Sequence, residues 1–371
     1  MIRLPEKIRR TLEKTVKELA SRGDVYGLGL FGSWSRGDAT PTSDIDLLIL
    51  TKSEIPDEYT ERIVANSLMI DLNFIPMKWI LGPLPPELDQ KLFDLQIFYD
   101  RDWKLTNVKM LMAKAYSSPE RVEIRTNAHA IEANIYLSRA TSALFKGDFQ
   151  SAQLFASTAM ENALKIPLEI ALQPISNSHF IERTERATEN LSLKNLFADY
   201  MEIAGLNNVD KKLVEEKLKL FKTMWNEMYF TVKQNIQTVE KAHFKIKTSL
   251  KYYFNTFFMQ GIVLRTTSII NTGNLAEATH YLYNTFTNML ENYARLKATL
   301  EKQQINHTTL IRSIQNLEKT NPKTYNAILD LLGIADANKT SATQTVQKAK
   351  KNITKIHKEK KHLIKTHISK S

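Results

Sequence analysis

Apolar and polar positions change rhythm along the chain, and each rhythm predicts a different kind of element. Residues 6–20 place Ile8, Leu12, Val16 and Leu19 at spacings of four, four and three, the stripe of an amphipathic helix. Ser21-Arg22-Gly23-Asp24 follows, with Gly23 placed to cap the C-terminus. Residues 26–31 are an apolar run that predicts a strand ending at Gly32-Ser33, and a second strand begins around Asp44-Ile45-Asp46-Leu47-Leu48-Ile49. Residues 59–65 and 69–75 predict a hairpin, because Ile63 and Val64 are β-branched and Asn66-Ser67 between the runs is turn-like. Gly82-Pro83-Leu84-Pro85-Pro86 breaks the chain, residues 87–95 read as a short helix and residues 96–100 as one more strand.

From about Trp103 onward the alternation of strands disappears. Only four glycines, at 147, 205, 261 and 273, and a few prolines punctuate residues 105–332, as expected of a helical array. A modest repeat runs through it: Thr141 to Ala152 parallels Thr267 to Ala278. Each copy reads as a helix ended by glycine, Gly147 or Gly273, with Asp148 or Asn274 capping the next helix. In the first copy Ala152, Phe155, Ala156, Ala159, Met160, Ala163 and Leu164 share a face small enough for close helix approach.

The chemistry starts with two acids. Residues two apart on a strand share a face and sit roughly 6.6 Å apart, so Asp44 and Asp46 point the same way while Ile45, Leu47 and Ile49 point into a core. An apolar strand with two same-face carboxylates carries a repulsion and desolvation penalty unless a cation or proton compensates. Asp71, in Met69-Ile70-Asp71-Leu72-Asn73-Phe74-Ile75, can join them from a neighbouring strand about 4.8 Å away. An all-oxygen site of this kind suits magnesium with substrate phosphates as further ligands. Gly32 lets backbone approach a phosphate, and Ser33 and Arg36 supply donors for polyphosphate oxygens. Asp38 reads as a turn residue.

Gly32-Ser33, ten residues, then Asp44-Ile45-Asp46 resembles the signature of the nucleotidyltransferase superfamily of DNA polymerase beta type. Phe31-Gly32-Ser33 and Ser43-Asp44-Ile45-Asp46-Leu47-Leu48 most resemble its small prokaryotic branch, the minimal and kanamycin-type nucleotidyltransferases. The resemblance is dense over residues 25–76. It implies that Asp44 and Asp46 bind magnesium, two ions in all, that Gly32 and Ser33 contact the triphosphate of ATP or another NTP, and that Asp71 ligates metal or acts as base. The fold it implies is an α+β nucleotidyltransferase domain with a short mixed sheet, followed by an all-α array of helical hairpins. The expected segments are 1–104 for the catalytic domain, 105–240 for a HEPN-like or substrate-binding-type helical domain, 241–337 for a second helical segment and 338–371 for a basic helical tail, docked or flexible. HEPN ribonucleases carry an arginine and a histidine with four to six residues between them; Arg125 and His129 have only three, so ribonuclease activity is not expected.

Composition narrows the partners. The chain has no cysteine, which excludes disulfides, thiolate metal sites and cysteine nucleophiles. The N-terminus lacks the apolar core of a signal peptide and no run of eighteen apolar residues occurs, so a cytoplasmic protein without a transmembrane segment is expected. Of the formal net charge of +11, residues 338–371 hold ten lysines against one acid, Glu359, leaving +2 for the rest. Polyanion attraction therefore belongs to this tail. There Val346, Ala349, Ile353, Ile356 and Leu363 recur as an apolar seam behind Ser341 and Thr343 as caps, so the segment is either a docked helix or one that orders on an acidic partner. The expected reaction is transfer of a nucleoside monophosphate to a hydroxyl of a protein or small molecule. The alternatives are an RNA 3′ end and an antitoxin-like protein-binding module with little catalysis. Among the other residues singled out, Glu161 reads as a structural acid or an acceptor-activating base, and the aromatic stretches 224–230 and 252–259 as core or as stacking surfaces.

Overall fold

The computed structural model describes residues 4–304 and 306–368, so the ends of the chain, Lys370 of the tail included, lie outside the described residues. The chain divides into two compact units, Met1–Tyr116 with Val239–Arg265, and Ser117–Thr238 with Thr266–Ser371.

The first unit is built on one mixed sheet of β1 (Val25–Phe31), β2 (Ile45–Thr51), β3 (Tyr59–Ala65), β4 (Leu68–Pro76) and β5 (Gln96–Asp100), in the order β3-β4-β2-β1-β5. β2 and β4 run parallel and the other neighbours antiparallel. Leu47, Leu48, Ile49 and Leu50 are all fully buried, so β2 is covered on both faces, as an unbroken apolar run requires. The helix Glu6–Ala20 lays Ile8, Leu12 and Leu19 onto the sheet core. The β3–β4 hairpin turns at Asn66 and Ser67, both with positive φ (50° and 61°), the two-residue geometry whose twist matches the strands.

Local details differ from the sequence reading. Gly23 does not cap the first helix; Ser21 does, its N–H on the Lys17 carbonyl while Arg22 N–H takes Leu19, so no left-handed residue is needed there. Residues 87–95 do not form one continuous α-helix. They give a 3-10 turn, Pro86–Leu88, closed by Leu88 N–H on the Pro85 carbonyl at 3.1 Å, and then a helix, Asp89–Asp94. Residues 239–265, helical in pattern like the rest of that region, pack with the sheet. Phe244 meets the Tyr59 ring edge-on at 5.7 Å, and Lys245 pairs with Asp57 at 2.6 Å.

The second unit is helical throughout its described residues. Helices Pro119–Phe145 and Phe149–Ile170 form a hairpin around Gly147, whose φ of 73° turns the chain, and Asp148 accepts from Ser151 N–H at 3.1 Å. Ala140, Ala143, Ala152, Ala156, Ala159 and Ala163 are fully buried, so the backbones approach closely. In the second copy Gly273 again has positive φ, but Asn274 occupies the N-cap position of Leu275–Leu300 without a side-chain capping bond.

The basic segment forms a helix, Lys339–His367, docked by its apolar seam: Val346, Ala349, Ile353, Ile356 and Leu363 are buried. Its cap is Asn338, which accepts from Ser341 N–H while Ser341 Oγ takes the Asn338 N–H, a capping box in which Ser341 is the reciprocal partner. Thr343 is no cap; its hydroxyl bonds back to the Lys339 carbonyl. Among the described residues no helix is long and apolar enough to cross a membrane.

Candidate active site

Three strands and one short helix converge on the acids. Parallel pairing sets Asp46 of β2 beside Asp71 of β4, and antiparallel pairing sets Phe31, the last residue of β1, beside Asp46. The chain then enters the helix Gly32–Arg36, which begins with Gly32 at φ 76°. A Cβ on Gly32 would lie 2.5 Å from Asp46 Oδ2, so glycine is required both by the backbone angle and by the carboxylate against it. Ser33 follows at the start of this helix. Asp44, Asp46, Asp71, Gly32 and Ser33 therefore gather at one end of the sheet.

The counter-charges come from residues that pattern reading passed over. Arg62 on β3 pairs in register with Asp71. Its Nε and Nη2 donate to the two Asp71 oxygens at 2.7 Å each, and Nη2 also donates to Asp44 Oδ2. Arg265 donates to the other Asp44 oxygen. The Tyr252 hydroxyl donates to Asp71 Oδ2 at 3.0 Å. Burial disfavours the charged form of Arg62, but its bonds to Asp71 and the nearby carboxylates outweigh this and hold it protonated. Asp46 differs from its neighbours. Burial, reinforced by the charges of Asp71 and Asp44, pushes its carboxyl up to about 8.

Arg36 lies apart from this cluster. Its Nη1 is 2.6 Å from Asp94 Oδ2 and its Nε 3.3 Å from Asp38 Oδ2, so the residue that reads as a turn acid is also a partner. The stretch 252–259 splits between roles: Tyr252 reaches Asp71, while Phe258 is buried beside the Arg62 guanidinium, whose carbon is 5.7 Å from the ring centroid. In the second unit Arg125 is buried and its Nε donates to Glu169 at 2.5 Å, with His129 3.3 Å from the other Glu169 oxygen. That spends the pair on structure. Glu161 is likewise buried, with Lys165 at 3.5 Å and His280 at 3.7 Å; burial alone would raise its carboxyl, yet these partners hold it below the ordinary range.

The donor set suits a hard divalent cation. Asp44, Asp46 and Asp71 offer only carboxyl oxygens, the ligands such a cation takes, beside the Arg62 and Arg265 guanidiniums. The arrangement is nonetheless turned inward. Among the described residues no three histidine or acidic side chains are grouped to ligate an ion, because the oxygens of Asp44 and Asp71 are taken by Arg62 and Arg265.

Residues 10–95 match the family model described as the nucleotidyltransferase domain. The span covers the first helix from its second turn on, Gly32-Ser33, the three acids and the β3–β4 hairpin. The sheet unit thus carries a nucleotidyltransferase domain, and the enzyme class it defines is nucleotidyltransferase, which uses a nucleoside triphosphate and a divalent metal. Among solved structures the chain is similar to a nucleotidyltransferase-like protein from Exiguobacterium sibiricum 255-15, at 11% identity, covering 87% of this chain and 90% of that one with a TM-score of 0.33. No curated protein matches the chain.

Proposed function

We propose that the chain transfers a nucleoside monophosphate, AMP from ATP, to a hydroxyl of a protein or small molecule and releases pyrophosphate. The observation that carries this reading is the convergence of Asp44, Asp46 and Asp71 beside Gly32 and Ser33. The acceptor oxygen attacks the α-phosphorus, the bond to the α,β-bridging oxygen breaks, and the hydroxyl proton passes to Asp71. Asp44, Asp46 and Asp71 hold magnesium, two ions, whose chemistry is to neutralise charge on the reacting phosphate and the leaving pyrophosphate. Gly32 backbone and Ser33 hold the triphosphate. Arg36 joins them by exchanging Asp94 for a phosphate oxygen. Incubating the protein with magnesium, each α-labelled NTP and a cell extract is expected to label one protein or small-molecule fraction, with ATP the best donor. Label confined to free nucleotide would sink the reading.

A second acceptor class, RNA, is favoured by the outer face of the basic helix. Lys348 pairs with Asp199 and Glu202, Lys361 with Glu123, and Lys360 is buried against Asn127, whereas Lys351, Lys355, Lys358 and Lys365 stand exposed along one face. The apolar seam of this helix is already buried, so its free face suits a phosphate backbone better than a lipid surface. Changing these four lysines to glutamine is expected to lower RNA affinity and flatten the plot of log K against log salt by about 3, at roughly 0.7 for each lost contact to a single strand. An unchanged slope in a binding assay would remove RNA from consideration.

A further inference from the structure

The guanidinium of Arg62 has a compartment of its own. Its side chain is only 4% exposed, and residues 252–261 are shaped around it. The Tyr252 and Phe258 rings lie 5.4 and 5.7 Å from its carbon, Asn255 Nδ2 donates to its backbone carbonyl at 3.3 Å, and Tyr252 bridges to Asp71. Gly261 sits within the helix Thr256–Asn271, where glycine weakens a helix, and a Cβ there would lie 2.6 Å from Arg62 Nη1. The missing side chain makes the room that the guanidinium fills.

The group so housed occupies the oxygens a divalent cation would need. Both Asp71 oxygens accept from Arg62 and one also from Tyr252, while each Asp44 oxygen accepts from an arginine. A carboxylate has few lone pairs to share, and a guanidinium and a divalent cation in one small cluster repel each other. We propose that Arg62 is a built-in counter-ion that divalent cation must displace, so that loading the acid cluster is coupled to release of Arg62 from the clasp formed by Tyr252, Phe258 and Gly261. This rests on the reading of Asp44, Asp46 and Asp71 as the metal-binding acids. The coupling would keep the acids charge-compensated and folded when no cation is bound, and would make cation affinity a property of β3 and residues 252–261 as much as of the acids.

The test is direct cation binding by the full chain without nucleotide, read by Mn2+ electron paramagnetic resonance and by thermal unfolding. R62M is expected to bind Mn2+ at least about tenfold more tightly than wild type. It should also melt lower in chelator and recover with Mn2+, since Asp71 and Asp44 then lack the guanidinium they share. Gly261→Ala, which crowds the guanidinium but keeps its charge, is expected to tighten Mn2+ binding severalfold in the same direction, and it serves should R62M fold poorly. Equal Mn2+ affinity in wild type and both variants overturns the exchange. Failure of the underlying site reading has a different signature: D44N/D46N added to G261A would leave Mn2+ binding intact, placing the ion elsewhere.

Discussion

Replacing Asp44 and Asp46 together with asparagine is expected to cut nucleotidyl transfer by on the order of a thousandfold or more, to the background of the labelling assay. Asparagine keeps the volume and the strand but removes two of the three carboxyl groups that gather at the end of β2 and β4. The two single variants separate activity from stability. Asp46 carries a carboxyl pushed up to about 8 by burial and by Asp71 and Asp44, so its charge is a burden on the fold, and D46N is expected to melt at or above the wild-type temperature while losing transfer. Asp44 is the shared acceptor of Arg62 and Arg265, so D44N leaves two guanidiniums short of a partner and is expected to melt lower. Activity in the double variant equal to wild type, measured on protein shown to be folded by circular dichroism, would remove these acids from the chemistry.

The second large effect is expected far from the acids. Arg125→Met is expected to destabilise the helical unit by about 3–5 kcal/mol, the usual result of removing one member of a buried ion pair. Arg125 is 2% exposed and Glu169 5%, and burial is a cost that Glu169 bears only because Arg125 and His129 outweigh it. With Arg125 gone, a carboxylate is left in the interior without its guanidinium, the His129 ring at 3.3 Å beside it. Thermal unfolding should fall by roughly 2–4 °C per kcal/mol for a domain of this size. A change within about 0.5 kcal/mol, the range of substitutions that touch no structural feature, would mean that the pair is not a structural support. The same helix position explains why an arginine and histidine with three residues between them read as a near-motif: the spacing places both on one face, and here that face meets Glu169.

Much of the site was legible because strand chemistry is local. Same-face spacing puts Asp44 and Asp46 together, and their apolar flanks can only be a buried strand. Arg62 was also within reach. Once Asn66-Ser67 is read as a two-residue turn, Ala65 pairs with Leu68 and counting outward sets Arg62 opposite Asp71. Register was the signal, and hydrophobic pattern alone does not display it. Tyr252 and Arg265 offered no comparable signal, because they lie 181 and 221 residues from their partners and sit in helices whose pattern resembles all the others. The basic segment reads equally as a docked helix or as one that orders on a partner, and packing decided between them: its apolar seam is buried, and burial even reaches Lys360.

By itself the sequence determined an α+β unit with a glycine-serine loop, two acids on one strand and a third on another, followed by glycine-punctuated helical hairpins. Those are short-range properties, set by period, turn chemistry and side-chain size. Only the tertiary structure decided what neutralises the acids. Arg62 reaches them across a sheet, and Tyr252, Gly261 and Arg265 arrive from helices that pack with the sheet unit although they lie within the helical stretch of the chain. Charge compensation is a matter of distance in space, and no spacing along the chain encodes which distant guanidinium will stand where a cation is wanted.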